Sequence, residues 1–343
     1  MLEPHYLCPP WSGRYGVEVY STTRIGGISK IPYDSFNLGL HVDDDEQSVQ
    51  INRQRLRESL NLAQEPYWLK QVHGAGIVQA VTDPSELSVK PRATRQHATQ
   101  IEADGAWTSE RLLPLAVLTA DCLPVVLATG AHNAFSAQQK KIATVHAGWR
   151  GMAAGILQRA IESMDADPVG MAAWLGPAIG PQAFEVGQDV YDAFASSLPG
   201  SETECFIPVD QLNIPTRSVM STAPGAFGAN RSALLDAAAN DAANNVIAMD
   251  AADRSAGRKD DVSNDLASSE QLAANLISAN EPGANKWFCD LYMLARYILR
   301  SYGITEISGG NNCTFHDREL FYSHRRDGAL TGRMATVAII REN

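Results

Sequence analysis

Long hydrophobic runs are missing from this chain of 343 residues, although 45% of its residues are hydrophobic. No stretch reaches the roughly 18 apolar residues that a membrane-spanning helix needs, so we expect no association with membranes. The first residues, from Met1 to Tyr6, lack the basic and apolar regions of a signal peptide. Together these absences predict a cytoplasmic globular enzyme.

An excess of basic residues is also lacking, because the formal net charge is -11. A protein that binds nucleic acid in general needs a basic surface to neutralise phosphates, so the charge argues against this class. A small anionic substrate is still allowed, since it needs only a local cluster of arginines.

Cysteine is scarce and unpaired in the sequence. The five cysteines are an odd number and include no Cys-x-x-Cys pair, which argues against a disulfide framework. Single reactive or metal-ligating thiols are favoured instead. The cysteines are Cys8, Cys122, Cys205, Cys289 and Cys313.

Several metal-enzyme signatures are absent as well. The chain has neither the His-x-Glu and Pro-Cys-x-x-Cys pattern of zinc deaminases nor a His-Glu-x-x-His helix. It has eight histidines and no His-x-His pair, whereas a multicopper oxidase needs many paired imidazoles. Copper oxidation is therefore not expected.

Three metal-binding residue types stand out in apolar-flanked segments. His73 lies in WLKQVHG, Cys122 in TADCLP and His146 in VHAGWRG, each near the end of a predicted strand. Two imidazoles and one thiolate form a zinc ligand set with a fourth position open, as in catalytic zinc sites. Asp121 adjoins the cysteine and could orient a ligand.

A cysteine hydrolase is the rival interpretation of the same residues. Cys122 would be the nucleophile and His146 or His73 its base, oriented by Asp121 or Asp104. Zinc would occupy the thiol that a hydrolase needs free. The long spacings match no local motif, so both interpretations stay open, beside one in which these side chains only pack in the core.

The periodicity of apolar residues predicts an α/β (α+β layered) fold with a central mixed sheet flanked by helices. We predict helices over 46–60, 151–164, 187–197 and 290–302. We predict strands near 17–20, 76–81, 113–119, 123–128, 141–146, 174–175, 321–323 and 334–340.

A segment at about 212–285 differs in composition. It is rich in Ala, Asn, Asp and Ser, and it contains one aromatic residue, Phe227, and no cysteine. Because such a segment has little to bury, we predict a disordered or loosely helical insertion.

An ordered set of motifs along the chain resembles the YfiH family, whose members are named polyphenol oxidoreductase (laccase), purine nucleoside phosphorylase or peptidoglycan editing factor. The motifs are STTRIGGIS (21–29), SFNLG (35–39), NR (52–53), KQVHG (70–74), ADG (103–105), TADCLP (119–124), VHAGWRG (145–151), LGPAIG (175–180), NCT (312–314), SHRRDG (323–328) and TGR (331–333).

The resemblance implies a zinc ion bound by His73, Cys122 and His146. It implies a single catalytic domain over 1–343, interrupted at about 212–285 and similar in fold to a Cys/His toxin deamidase. It also implies purine nucleosides and phosphate as substrates, with phosphorolysis of adenosine, inosine and methylthioadenosine and a second activity in adenosine deamination. The histidine count leads us to set the laccase name aside.

Phosphorolysis requires phosphate beneath the sugar, and guanidinium groups bind phosphate through a bidentate fork. Our candidates for substrate and phosphate binding are Arg24, Ser29, Asn37, Arg53, Gln71 and Arg150. Our candidates for catalysis are Cys122, His146 and Asp121. Each arginine has a structural alternative in an ion pair.

Three functions therefore compete. The first is a zinc-dependent purine nucleoside phosphorylase with adenosine deaminase activity. The second is a cysteine-type amide hydrolase that edits peptidoglycan precursors, and the third is a non-enzymatic zinc-binding partner protein. The sequence indicates neither the preferred nucleoside nor the oligomeric state.

Overall fold

The computed structural model describes residues 2–13, 16–82, 101–130, 139–209 and 285–341. These residues belong to one compact unit. They form mixed sheets flanked by helices, which confirms the predicted fold class. The predicted insertion at 212–285 lies outside the described residues except for its last position, and it stays a prediction, as does the likeness to a toxin deamidase.

The strands and helices follow in chain order. The strands are β1 (Tyr6–Leu7), β2 (Val17–Thr22), β3 (Tyr67–Trp68), β4 (Ile77–Gln79), β5 (Gly105–Thr108), β6 (Leu115–Thr119), β7 (Leu123–Thr129), β8 (Ile142–Ala147), β9 (Met171–Leu175), β10 (Glu185–Val186), β11 (Phe206–Pro208), β12 (Trp287–Cys289), β13 (Glu306–Gly309) and β14 (Met334–Ile340). The helices are α1 (Glu46–Ser59), α2 (Trp149–Ala153), α3 (Ile156–Ser163), α4 (Gln188–Ser197), α5 (Glu202–Cys205), α6 (Leu291–Ser301) and α7 (His324–Asp327), with a 3-10 turn at Pro168–Gly170.

The described strands form three sheets. A five-stranded sheet has the order β1-β2-β14-β6-β3, and a six-stranded sheet has the order β13-β9-β7-β8-β5-β4. A small sheet has the order β10-β12-β11. Both large sheets mix parallel and antiparallel pairs, since β3 runs parallel to β6 and β4 runs parallel to β5.

Side chains that alternate along β7 divide the core into layers. Val125 and Leu127 pack with Leu157 of α3 and Leu294 of α6. Their neighbour Val126 faces the five-stranded sheet. The far side of that sheet packs against α1, so the layers run helix, sheet, sheet, helix. All seven residues of β7 are buried, as is typical of a strand covered on both faces.

Local capping sets where the two long predicted helices begin. The Asp45 carboxylate accepts a hydrogen bond from the Ser48 amide (2.8 Å) at the start of α1. The Asp290 carboxylate accepts from Tyr292 and Met293 (2.9 and 3.0 Å) at the start of α6. Both satisfy amides that have no partner inside the helix.

Two sequence predictions are wrong in detail. The helix predicted over 151–164 is divided into α2 and α3 because Gly155 adopts a left-handed conformation (φ 84°) between them. The segment 321–323 is not a strand. Its Phe321 amide closes a turn on the Asp317 carbonyl (3.0 Å), and its Ser323 hydroxyl caps α7 by accepting from the Arg326 amide (3.2 Å).

Among the described residues, every helix is too short or too polar to pass through a lipid bilayer.

Candidate functional site

The chain crosses from one large sheet to the other at Asp121 and Cys122. β6 ends at Thr119 in the five-stranded sheet and β7 begins in the six-stranded sheet. Asp121 has a φ of 99°, an unfavourable conformation for a residue with a side chain. Its carboxylate accepts from the Thr314 hydroxyl (2.6 Å) and the Arg325 amide (2.7 Å). These bonds hold the crossing that presents Cys122.

His146 meets Cys122 because β8 pairs with β7. The register aligns His146 with Pro124, two residues beyond Cys122. The buried imidazole contacts Asp104 through Nδ1, which lies 2.9 Å from Oδ1 of the carboxylate. The His146 amide also donates to the Asp104 carbonyl (2.7 Å). With Nδ1 engaged, Nε2 is the ring nitrogen left for the thiol.

Asp104 also shapes the loop that carries the third residue. Its carboxylate accepts from the amides of Val72 (3.3 Å), His73 (2.9 Å) and Gly74 (2.7 Å). His73 itself has a φ of 59°, so these hydrogen bonds hold it in a sparsely populated backbone conformation. One fully buried carboxylate thus orients His146 and the loop of His73 together.

The three predicted ligands converge. One donor atom from each of His73, Cys122 and His146 lies within 4.8 Å of the other two. The two imidazole rings meet edge to face, with centroids 4.8 Å apart. Gly148 leaves room beside them, because a Cβ there would lie 3.1 Å from the Cys122 Sγ atom.

The electrostatics of the site favour a thiolate beside an imidazolium. Burial opposes ionisation of Cys122, but the charge of His146 and hydrogen bonds from both histidines lower the pKa of the thiol to about 6. Burial likewise opposes protonation of His146, but the thiolate and Asp104 raise its pKa to about 9. Although burial opposes the charge of Asp104, hydrogen bonds and the charge of His146 lower its pKa.

These residues fit a divalent metal ion. Tetrahedral zinc holds nitrogen and sulfur ligands about 3.5 Å apart, given its bond lengths of about 2.0 to 2.3 Å. Donor atoms within 4.8 Å of one another reach that spacing with small side-chain movements. The Asp104 contact to Nδ1 of His146 is the support that a ligating histidine usually receives. His73 is exposed, so the site opens toward solvent.

Three of the predicted substrate-binding residues hold the loop that precedes α1. Arg24 pairs with Asp34 through Nη2 (3.1 Å) and donates to its carbonyl through Nε (2.8 Å). The Ser29 hydroxyl accepts from Asn52 (3.0 Å). The Asn37 carboxamide oxygen accepts from the amides of Gly39 (3.0 Å) and Arg333 (2.9 Å). Their substrate-binding role stays a prediction.

The other three lie in different settings. Arg53 donates twice to the Leu38 carbonyl and stacks over Trp68 at 4.0 Å. The Gln71 side chain accepts a hydrogen bond from the Leu118 amide (2.7 Å) and donates one to the Leu118 carbonyl (2.8 Å). These hydrogen bonds connect the His73 loop to β6. Arg150 is exposed and stacks on its neighbour Trp149. Of these three residues, only Arg150 is exposed. Phosphate binding by any of the three stays a prediction.

Asp104 and Arg333 carry weaker signals in the sequence than the three converging residues. The signal for Asp104 is its position directly before β5 in the motif ADG. Arg333 precedes β14 in the motif TGR, and the next residue, Met334, pairs with Thr119 at the end of β6, three residues before Cys122.

Comparisons with known proteins agree on one family. Residues 18–223 and 229–341 match the family model described as multi-copper polyphenol oxidoreductase laccase. The chain is 32% identical to a Pseudomonas aeruginosa protein named purine nucleoside phosphorylase, over 98% of this chain and 99% of that protein. It is also 32% identical to the Escherichia coli K12 protein named purine nucleoside phosphorylase YfiH, over 96% of each chain.

Structure comparison gives the same result. The crystal structure of a Neisseria meningitidis protein of the DUF152 family matches with a TM-score of 0.65 and 30% sequence identity, over 98% of this chain and 99% of that one. Similarity in sequence and fold thus extends over nearly the whole length of each relative. The chain therefore belongs to the multi-copper polyphenol oxidoreductase laccase family, the family of the YfiH proteins.

Proposed function

We propose that this protein is a zinc-dependent purine nucleoside phosphorylase with adenosine deamination as a second activity. The observation that carries the proposal is the convergence of His73, Cys122 and His146 on one point, with Asp104 behind them. Support for the reaction class comes from full-length relatives named purine nucleoside phosphorylase.

Zinc is proposed rather than copper, although the family name contains copper. In the part of the chain that the structure describes, one His-Cys-His group is found, and its three ligands suit a single zinc ion with an open position. The multicopper arrangement needs several imidazole clusters. Metal analysis of the purified protein distinguishes the two.

In phosphorolysis, a phosphate oxygen forms a bond to C1′ of the ribose while the bond from C1′ to the purine nitrogen breaks. The departing purine then takes a proton. A zinc ion held by His73, Cys122 and His146 would supply a Lewis acid that orients an oxygen ligand or lowers the pKa of a bound water.

The chain's own residues prepare this site. Asp104 orients the His146 ring so that Nε2 faces the metal-binding position. The Asp104 carboxylate also accepts hydrogen bonds from amides of the His73 loop, which positions His73. The hydrogen bonds of Asp121 hold the chain crossing that positions Cys122. Because these positions are set before substrate arrives, little reorganisation is needed when it binds.

The test is incubation of the purified protein with adenosine or inosine and phosphate, followed by chromatography of the base and ribose 1-phosphate. We expect product formation that is lost in Cys122→Ala and after dialysis against a chelator. Cys8→Ala is the matched control, since Cys8 is an exposed cysteine. Inosine formed from adenosine without phosphate reports the deaminase. Nucleosides that stay intact with the zinc-loaded protein would refute the proposal.

A second function is favoured by one specific observation. Cys122, His146 and Asp104 form a thiol, imidazole and carboxylate in series, which is the order of groups in a cysteine hydrolase. A metal-free protein that releases L-serine or L-alanine from a peptidoglycan precursor, and loses this activity in Cys122→Ala, would support an amide hydrolase. Metal binding with neither activity would support the third candidate, a zinc-binding partner protein.

A further inference from the structure

The backbone of Arg333 is fixed on both sides before β14. Its amide donates to the Asn37 carboxamide oxygen (2.9 Å), and its carbonyl accepts from the Leu38 amide (3.1 Å). The side-chain stem crosses Gly39, where a Cβ would lie 2.8 Å from the Arg333 Cγ atom. The missing side chain at Gly39 is therefore what lets Arg333 take this path.

Among the described residues, no protein acceptor occupies one edge of the Arg333 guanidinium. Nη1 donates to the carbonyls of Thr331 (2.8 Å) and Gly332 (3.1 Å). Within the described ranges, neither Nε nor Nη2 has a protein acceptor. These two nitrogens form one of the edges that bind phosphate or carboxylate oxygens in a bidentate fork.

The corresponding edge is occupied in three other arginines, Arg24, Arg53 and Arg326. In Arg24, Nε and Nη2 both bond Asp34, and in Arg53 both bond the Leu38 carbonyl. In Arg326, both nitrogens bond Asp327. Protein groups thus hold these three forks, whereas the fork of Arg333 is available to a ligand.

The available fork lies next to the metal-binding residues. Arg333 is half-buried and directly precedes Met334, which pairs with Thr119 at the end of β6, three residues before Cys122. The Cγ atom of Arg333 and the Cε1 atom of His41 both lie beside Gly39. Burial lowers the pKa of Arg333, and the charges of Cys122 and Asp121 act to raise it. Arg333 therefore lies beside the chain crossing that carries Asp121 and Cys122.

We infer that the Nε and Nη2 edge of Arg333 binds the phosphate substrate beside the His73, Cys122 and His146 centre. The inference rests on the proposed function, because phosphate is a substrate only of the phosphorylase. It assigns the principal phosphate contact to an arginine other than Arg24, Arg53 and Arg150.

The direct test is calorimetric titration of inorganic phosphate into the zinc-loaded protein and its variants. Loss of a bidentate, charge-assisted contact should weaken phosphate binding about 10- to 100-fold in Arg333→Met. Arg333→Lys keeps the charge without the fork and should show a smaller loss. Arg159→Met, on the exposed face of α3, is the matched control and should bind as the wild type does.

A structural role for Arg333 predicts a different result. If its bonds to Thr331 and Gly332 only stabilise the turn, Arg333→Met would lower the melting temperature and leave phosphate affinity unchanged. If Arg333→Met does not fold, Arg333→Lys decides, and unchanged phosphate affinity in that variant overturns the inference.

Kinetics separate failure of this inference from failure of the proposed function. We expect Arg333→Lys to raise the KM for phosphate with little change in the KM for nucleoside. Phosphorolysis with an unchanged phosphate KM in both variants would refute the inference and leave the function standing. Phosphate binding that depends on Arg333 in a protein without phosphorolysis would refute the function and leave the anion site standing.

Discussion

Replacement of Asp104 by asparagine tests how the site is held together. The Asp104 carboxylate faces four donors, namely His146 Nδ1 and the amides of Val72, His73 and Gly74. An asparagine of the same shape has one acceptor oxygen and must turn its NH₂ group toward some of these donors. If the oxygen stays with His146 and His73, the amides of Val72 and Gly74 lose their partner.

The lost contacts determine how much Asp104→Asn should destabilise the protein. Hydrogen bonds to a charged group contribute about 1.5 to 3 kcal/mol each, and breaking a buried ion pair costs about 3 to 5 kcal/mol. We therefore expect Asp104→Asn to lower the free energy of unfolding by about 3 to 5 kcal/mol. Loss of the support behind His146 should also weaken zinc binding about 10- to 100-fold.

The assays are urea unfolding and competition for zinc with a chelator. Asp167→Asn is the matched control, because the exposed Asp167 caps a 3-10 turn and asparagine caps equally well. An Asp104→Asn protein that unfolds at the wild-type urea concentration and retains zinc equally would refute the reasoning.

The difference in stability between the wild type and Asp104→Asn depends on pH. The pKa of Asp104 is lowered in the folded protein, so its stabilising effect is present above the unfolded carboxyl pKa of about 3.9 and is lost as pH falls through the folded value. In metal-free protein, the wild type and Asp104→Asn should therefore converge in stability in strong acid. A difference that stays constant down to pH 2 would contradict the assignment of the charge to Asp104.

Three further predictions concern the thiol and two glycines. In metal-free protein, iodoacetamide should label Cys122 with a midpoint near pH 6, because the thiolate forms above its lowered pKa. Cys8 is the control, since partial desolvation and the charge of Glu18 raise the pKa of its thiol. Peptide mass spectrometry that gives a Cys122 midpoint near pH 9 would contradict this prediction. Gly148→Ala places a Cβ 3.1 Å from the Cys122 sulfur and should weaken zinc binding about tenfold in chelator competition. Gly170→Ala, in open space, is its control, and equal zinc affinity in both would count against the geometry. Gly39→Ala should displace the Arg333 stem and weaken phosphate binding in calorimetry as Arg333→Met does, and wild-type affinity would argue against that path.

Much of this fold can be predicted from local patterns in the sequence. The buried run of β7 and the capped, periodic pattern of α1 are visible in sequence because each depends on neighbours along the chain. The break at Gly155 and the turn at Phe321 depend instead on a single backbone conformation and on a distant packing partner, and periodicity does not report either.

Some residues of the candidate site can likewise be predicted from the sequence, whereas others depend on tertiary contacts. Chemistry and position near strand ends single out the three converging residues, and the resemblance to the YfiH family implies that they share one zinc ion. Arg24 and Arg53 share the chemistry expected of phosphate ligands, but whether a guanidinium faces a ligand or a carbonyl is set by tertiary contacts. The free edge of Arg333 has the same origin and could be found only from the folded structure.

The most direct test of the central claim is X-ray absorption spectroscopy of the purified protein at the zinc edge, supported by metal analysis. The account predicts one zinc per chain, with two nitrogen ligands at about 2.0 to 2.1 Å and one sulfur ligand at about 2.3 Å. The sulfur signal should vanish in Cys122→Ala. Zinc without a sulfur ligand, or copper in its place, would contradict the account.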